Sequence, residues 1–318
     1  DWEMPRMNGI EFCQRIKEKH SHNPPYIILL TSRNKIEDIV EGLNKGANDY
    51  VAKPFDNEEL KVRLSVGKRV LQLQSEVHET NAILNRERAI IEDIILGMKA
   101  HAPFNSSHIR SIQKPVEKTS GDVLFSAVCP DGTQHLMLGD FTGHGITAAL
   151  GGPTASDVFY KMTAKGMPMP EIAYEINQHM CAKMPTGLFL AAILLEINPA
   201  RNTARIWNCG MENVLFFRDG AFKQEINSSR PALGIINGPI ENMLTMSILP
   251  NDYFYAYSDG IIETINPAGE MFGQQRLISS ITNMLRENQE LQILDDASKI
   301  FRADGIQLDD ITLVELTC

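Results

Sequence analysis

The sequence predicts a multidomain chain: a partial α/β unit with a parallel sheet, a long helical connector, and an α+β unit built on antiparallel strands. Three observations carry this reading. Apolar strand-like runs alternate with amphipathic helices over residues 1–57; residues 58–98 are polar, lack proline and keep a heptad of mostly apolar positions; residues 99–318 hold strand pairs closed by Asp-Gly turns, then helices, then a terminal apolar strand.

Composition narrows the function. The chain has 318 residues, 43% hydrophobic and 22% charged, enough to bury more than one core. Its net charge of -10 and the lack of a basic cluster argue against nucleic-acid and anionic-membrane binding. Cys13, Cys129, Cys181, Cys209 and Cys318 are scattered without C-x-x-C spacing, which suits thiols in a reducing, cytoplasmic setting. The run from Leu188 to Leu195 is too short to span a bilayer.

In the first unit, Asp1-Trp2-Glu3-Met4-Pro5-Arg6-Met7-Asn8-Gly9 leads into an amphipathic helix carrying Ile10, Phe12, Cys13 and Ile16. Tyr26-Ile27-Ile28-Leu29-Leu30 is a continuous apolar run of the kind found in buried parallel strands, closed by Thr31-Ser32. A helix over about Ile36 to Lys45 and a strand over Asp49 to Ala52 follow, ending at Lys53-Pro54. D-x-x-M-P-x-M-N-G, then T-S, then D-Y-V-x-K-P resembles a response-regulator receiver domain, in its intervals as well as its letters. The resemblance implies that Asp1 accepts a phosphoryl group from a sensor histidine kinase, that Thr31 and Lys53 bind that group, that Tyr50 is the aromatic that reorients on activation, and that Lys53-Pro54 is cis. A hydroxyl donor and an ammonium are suited to holding phosphoryl oxygens. Because the chain opens inside the motif, its N-terminus is expected to be truncated. The family's metal-binding acidic pair would precede Asp1, so the fragment alone is expected not to be phosphorylated.

Over residues 58–98, Val66, Val70, Leu73, Val77, Thr80, Leu84, Glu87, Ile91, Ile94 and Met98 step by four and three, a coiled-coil seam interrupted at Thr80 and Glu87. It reads either as a parallel dimeric coil relaying the first unit's state, or as a helix packed on its own domain. A homodimer through this helix is the expectation.

In residues 99–318, Val123–Val128 and His135–Leu138 flank Pro130-Asp131-Gly132-Thr133, a hairpin signal; counting outward from the turn sets Asp122 nearly opposite Asp140. Two like charges there call for a cation between them. Strands are expected over Leu188–Ile197, Ala204–Asn208, Asn213–Arg218, Met243–Leu249 and Tyr253–Tyr257, with Arg218-Asp219-Gly220-Ala221 a second hairpin turn. Helices over about Gln274–Glu287 and Leu291–Ala303 precede Asp309-Asp310-Ile311-Thr312 and the terminal strand. Antiparallel pairing of the Tyr253 and terminal strands would bring Asp259, from Ser258-Asp259-Gly260, beside Asp309 and Asp310. The helix of Ile146, Ala149 and Leu150 and the helix after Pro170 are expected to be core.

The order G-D, then G-D-x-x-G-H-G-x-x-A-A, then S-D-G, then D-D-x-T resembles the metal-dependent (PPM-type) serine/threonine protein phosphatases, in their bacterial sporulation and stress-response branch, over most of residues 115–318. That resemblance implies an α+β domain with two antiparallel sheets sandwiched by helices, and two Mn or Mg ions. Asp140 would bridge both ions, with the Phe141 backbone carbonyl as a further ligand. Asp122 and Asp259 would take one side each or orient the groups that do, and Asp309 is preferred over Asp310 as the remaining ligand. Asp oxygens suit Mg or Mn better than Zn. Two such ions about 3.5–4 Å apart lower the pKa of a shared water and neutralise phosphate, so that hydroxide attacks phosphorus in line. The family's Gly-Gly-Asp is Ser-Gly-Asp here, and the phosphate-binding Arg of its eukaryotic members has no clear match, as the resemblance to the bacterial branch implies. His144 is either a turn residue capping the following helix or a proton carrier beside the ions.

The function implied is a two-component response regulator whose output is a Mg/Mn-dependent protein serine/threonine phosphatase. The resemblance further implies, as substrate, a phosphorylated anti-sigma-factor antagonist of the STAS type in a partner-switching pathway. The alternative is a catalytically silent, phosphatase-like adaptor that binds a sigma-factor regulator; the presence of Asp122, Asp140, Asp259 and Asp309 favours the enzyme. The expected domains are a receiver portion at 1–57, the coiled-coil linker at 58–98 and the phosphatase domain at 99–318.

Overall fold

The computed structural model describes residues 1–20, 24–32, 36–99, 103–143, 145–185, 187–241 and 243–318. The chain divides into two compact units, 1–87 and 88–318, with one helix running on from the first into the second.

The first unit contains α1 (Gly9–Lys19), β1 (Ile28–Thr31), α2 (Ile36–Asn44), β2 (Asp49–Ala52) and the leading part of α3 (Asn57–Lys99). β1 and β2 pair in parallel, Thr31 beside Ala52. The Met-x-Asn-Gly letters have local causes. Asn8 caps α1, its Oδ1 accepting the Glu11 N–H at 2.8 Å. A side chain on Gly9 would start 2.1 Å from the Asp1 carbonyl oxygen, so only glycine lets α1 begin against that backbone. Trp2, Ile10, Cys13, Leu29 and Ala47 form the core, whereas Phe12, which the helical pattern grouped with them, is exposed. Lys53-Pro54 is cis.

The second unit opens with the last turns of α3, whose Glu92 and Ile95 are buried, and continues through β3 (Ile109–Lys114), β4 (Asp122–Val128), β5 (Gln134–Phe141), α4 (Gly145–Ala149), α5 (Gly151–Ala164) and α6 (Met169–Lys183). Then follow β6 (Leu190–Ile197), β7 (Thr203–Cys209), β8 (Val214–Arg218), β9 (Ala221–Ile226), β10 (Leu244–Ser247), β11 (Tyr253–Tyr257), α7 (Asp259–Ile262), α8 (Gly273–Arg286), α9 (Gln292–Arg302) and β12 (Ile311–Thr317). Two antiparallel five-stranded sheets result, ordered β10-β7-β6-β5-β4 and β3-β12-β11-β8-β9.

Three apolar layers hold the unit together. α5 and α6 pack on the first sheet through Phe159, Ile172, Ile176, Phe125 and Leu194. The inner faces of the sheets meet through Leu136, Leu138, Ile193, Leu195, Phe216 and Phe254. α8 and α9 cover the outer face of the second sheet through Leu277, Ile281, Leu294, Tyr255 and Leu313. At about 1.5–3 kcal/mol for each fully buried large apolar side chain, these layers set the fold. Both Asp-Gly turns close hairpins; at the second, Asp219 and Gly220 have φ of 55° and 69°, the pair of positive values a tight two-residue turn requires. β3, β9 and α7 were not anticipated. Leu150, expected in the core, is exposed where α4 gives way to α5.

Candidate active site

In the first unit, the Lys53 ammonium pairs with the Asp1 carboxylate, and the Lys53 N–H donates to the Thr31 carbonyl at 2.7 Å. Thr31 is buried at the C-terminal end of β1, and Tyr50 is half-buried on β2 with the Arg63 guanidinium 5.8 Å from its ring centre. The sequence-predicted Asp1, Thr31 and Lys53 therefore meet at one end of the parallel sheet.

In the second unit, the β4–β5 register sets Asp122 directly opposite Asp140. Across the inter-sheet space, β11 and β12 pair so that Tyr257 faces Leu313, which brings the end of β11 against the start of β12. Ser258 joins the two sheets. Its N–H donates to the Thr312 carbonyl at 2.9 Å, its hydroxyl accepts the Thr312 N–H at 2.9 Å, and the same hydroxyl donates to Asp122 Oδ2 at 2.8 Å. The chain then turns into α7 at Asp259-Gly260. A side chain on Gly260 would start 2.1 Å from the Asp310 carbonyl oxygen, so glycine permits the close approach that carries Asp259 to Asp309 and Asp310.

The two adjacent acids at the start of β12 differ in surroundings. Asp310 is buried, and its carboxylate accepts from Val116 N–H at 2.7 Å, Ser120 Oγ at 2.8 Å and Gly121 N–H at 2.9 Å. It braces the segment that delivers Asp122. Asp309 is exposed, and its Oδ1 accepts the Asp310 N–H at 2.8 Å.

The electrostatics are those of acids crowded without a counter-charge. Asp140 is pushed up to about 8, first by burial and then by Asp122, Asp259, Asp309 and Asp310. Asp122 is pushed up to about 7 by burial, opposed by hydrogen bonds from Thr312 and Ser258. Asp259 rises to about 6, through burial and then Asp309, Glu263 and Glu212. Burial and like charge both penalise the ionised form, and a cation among the oxygens reverses both effects. Among the described residues no three Asp, Glu, His or Cys converge closely enough to form a closed metal cage, so the four acids share a corner without encircling a point. The donors are carboxylate oxygens, a set suited to Mg or Mn.

Neighbouring loops shape that corner. The Phe141 ring is fully buried, against a Gly151 at which a side chain would start 2.1 Å from Phe141 Cε1, while its carbonyl shares the strand end with Asp140. Thr142 Oγ1 donates to the Gly187 carbonyl at 3.0 Å and accepts the Phe189 N–H at 3.1 Å, fixing the chain just past Asp140. His144 lies outside the described residues. The Glu117 carboxylate lies against Gly145, pairs with Arg88 on α3, and is followed by Lys118, whose Nζ is 2.5 Å from Asp93 Oδ1. Sequence reasoning gave no role to Ser258, Thr312, Ser120 or Glu117. The first three stood inside the quoted motifs, and a serine or threonine flanking each predicted acid was the available signal; Glu117 carried none.

A family description for Stage II sporulation protein E (SpoIIE) matches residues 130–318, and one for the response regulator receiver domain matches residues 1–65. The chain is 23% identical over 234 residues to Protein IcfG of Synechocystis sp., covering 65% of this chain and 37% of that protein, so it spans about a third of that relative's length. The solved SiaA-PP2C domain of Pseudomonas aeruginosa superposes with a TM-score of 0.63 at 20% identity, covering 74% of this chain and 99% of that one. The PP2C phosphatase domain and regulatory fragment of SpoIIE from Bacillus subtilis give a TM-score of 0.57 at 17% identity, covering 66% and 62%. At these identities the superpositions establish a common fold, and the sequence match over residues 130–318 establishes kinship. The chain belongs to the SpoIIE family, with a response-regulator receiver domain followed by a PP2C-type phosphatase domain.

Proposed function

We propose that this chain is a response regulator whose output is metal-dependent hydrolysis of phosphoserine or phosphothreonine in a partner protein, a phosphorylated anti-sigma-factor antagonist of the STAS type. The observation that carries the reading is the register of Asp122 opposite Asp140, tied through Ser258 to the strand ends bearing Asp259 and Asp309.

Phosphatases of this family use Mg or Mn. Asp140 and Asp122, with Asp259, Asp309 and the Phe141 carbonyl, would hold two such ions, which when bound neutralise the phosphate and acidify a water. The remaining work belongs to this chain's own groups. The Ser258 hydroxyl, itself fixed by the Thr312 N–H, aims the Asp122 carboxylate, which the Thr312 side chain also bonds. Asp310 spends its acceptors on Val116, Ser120 and Gly121, so it positions Asp122 and leaves Asp309 as the ligand of that pair. Burial around Asp122 and Asp140 limits water, which strengthens every charge interaction there.

In the first unit, Asp1 would take the phosphoryl group from a sensor histidine kinase, with Thr31 and Lys53 binding it and Tyr50 responding. The exposed seam positions Val66, Leu73, Val77, Leu84, Ile91, Ile94 and Met98 of α3 support a homodimer through that helix. Arg88 and Asp93, on the same helix, pair with Glu117 and Lys118, four to five residues ahead of Asp122, a route by which a shift of the helix reaches the acids.

The test is release of phosphate from p-nitrophenyl phosphate and a phosphoserine protein, with and without Mn, by the parent and Asp140→Asn. The proposal expects Mn-dependent turnover that falls at least 100-fold in the variant, in line with loss of a charge-stabilising group. Absence of metal-dependent turnover by the parent on several substrates would favour the adaptor.

A further inference from the structure

Ile306, Ile300 and Leu308 are 84%, 80% and 70% exposed, three of the four most exposed large apolar side chains among the described residues. All three lie within nine residues at the end of α9 and in the loop that leads straight to Asp309. The loop is held in place. Gln307 Nε2 donates to the Lys114 carbonyl at 2.6 Å and the Asp309 carbonyl at 2.8 Å, and Gly305 N–H donates to the Arg302 carbonyl at 3.1 Å. Ala303 opens it with φ 53° and ψ -127°, a conformation that L-residues rarely adopt and that must be held by its surroundings. A fixed loop that presents isoleucine and leucine to water is a contact surface rather than a frayed end.

Beneath it, Ile306 and Leu308 join Ile265, Met271 and Arg302 around a cavity of about 120 Å³ whose remaining wall includes Gly260 and Asp309. Arg302 lines that cavity and its Nε is buried without an acceptor among the described residues, while the neighbouring cation on α9, Lys299, is taken by Asp295 and Asp296. A buried guanidinium donor with no partner calls for an incoming oxygen.

We propose that this face is where the phosphoprotein docks: an apolar side chain near the phosphoserine enters between Ile306, Leu308, Ile265 and Met271, and a carbonyl or carboxylate oxygen of the same segment meets Arg302. The inference rests on the phosphatase reading of the adjoining acids. Continuity with Asp309 selects the substrate as occupant, because any protein presenting phosphate to that corner must lie across its border. An extended segment advances about 3.3 Å per residue, so the apolar residue falls within about three positions of the phosphoserine.

The test uses the full chain with Mn and three probes: p-nitrophenyl phosphate, a phosphoserine peptide with Leu and Ile at positions within three of the phosphoserine, and the same peptide with Gly and Ser there. The parent is expected to favour the apolar peptide about tenfold in kcat/KM. Ile306→Ser and Met271→Ser abolish that preference and leave p-nitrophenyl phosphate turnover unchanged, and Arg302→Gln raises KM for both peptides. Equal kcat/KM on the two peptides, or a proportional fall on p-nitrophenyl phosphate, overturns the proposal. Binding of the labelled apolar peptide, which needs no turnover, separates the two readings. Binding that weakens about tenfold in Ile306→Ser with no turnover by the parent refutes the phosphatase reading alone, whereas equal binding by parent and variant refutes the docking face.

Discussion

Asp309 and Asp310 are neighbours in sequence with opposite surroundings, and replacing each in turn separates bracing from ion holding. Asp310→Ala removes the shared acceptor of Val116 N–H, Ser120 Oγ and Gly121 N–H in a buried setting. The Ser120 hydroxyl can rotate to another acceptor, which leaves the buried Gly121 N–H and the part-buried Val116 N–H unsatisfied at about 1–3 kcal/mol each, a loss of about 2–6 kcal/mol. In a unit of this size each kcal/mol lowers the midpoint by about 2–4 °C, so the melting temperature falls by roughly 4–24 °C. Asp309→Ala removes an exposed carboxylate whose hydrogen bond is to the N–H of the next residue, and stability stays within about 0.5 kcal/mol. Calorimetry of the full chain, following the transition of residues 88–318, is paired with Mn-dependent turnover of p-nitrophenyl phosphate. Asp309→Ala is expected to melt like the parent and lose turnover, Asp310→Ala to lose both. Equal destabilisation by the two, or an Asp310→Ala protein melting within about 1 °C of the parent, would refute the division of roles.

The raised carboxylates make a pH prediction. Asp122, Asp140 and Asp259, at about 7, 8 and 6, bind more protons folded than unfolded, so metal-free stability falls as pH rises through that range from the ordinary carboxylate region. Melting curves in buffers spanning it should show the decline, saturating Mn should reduce it, and a metal-free midpoint that climbs over the same range would contradict it. Gly260→Ala forces a methyl to 2.1 Å from the Asp310 carbonyl and is expected to cost about 1–3 kcal/mol with loss of turnover, read by urea unfolding. Val77→Glu with Leu84→Glu places charge on exposed seam positions; sedimentation should shift from dimer to monomer at micromolar concentration, and an unchanged mass would remove the coiled-coil dimer.

Much of the candidate site was legible because its acids sit at countable distances from turns. Asp131-Gly132 fixes the hairpin, and each residue counted outward from it alternates faces, so the opposition of Asp122 and Asp140 followed from spacing alone. The meeting of Asp259 with Asp309 and Asp310 required only that two apolar strands pair antiparallel. The hydrogen-bonded framework was not legible in the same way. Ser258 reaches Asp122 across the space between sheets, and Asp310 reaches Ser120 across 190 positions of sequence, contacts set by sheet packing and not by periodicity. β3 escaped because its burial alternates irregularly, and β9 because most of it faces solvent as an edge strand. Leu150 misled because it is the single residue between α4 and α5, helical in its own backbone but with its side chain facing solvent, while Gly151 beside it is the position pressed against the Phe141 ring.

The central claim is that Asp140 organises a divalent-cation site. Calorimetric titration of Mn into the metal-free chain at pH 8, beside Asp140→Asn, tests it most directly. Saturable binding by the parent is expected, with at least tenfold weaker binding by the variant and a metal-free variant at least as stable as the parent because one crowded charge is gone. Mn binding of equal affinity by both proteins would contradict it.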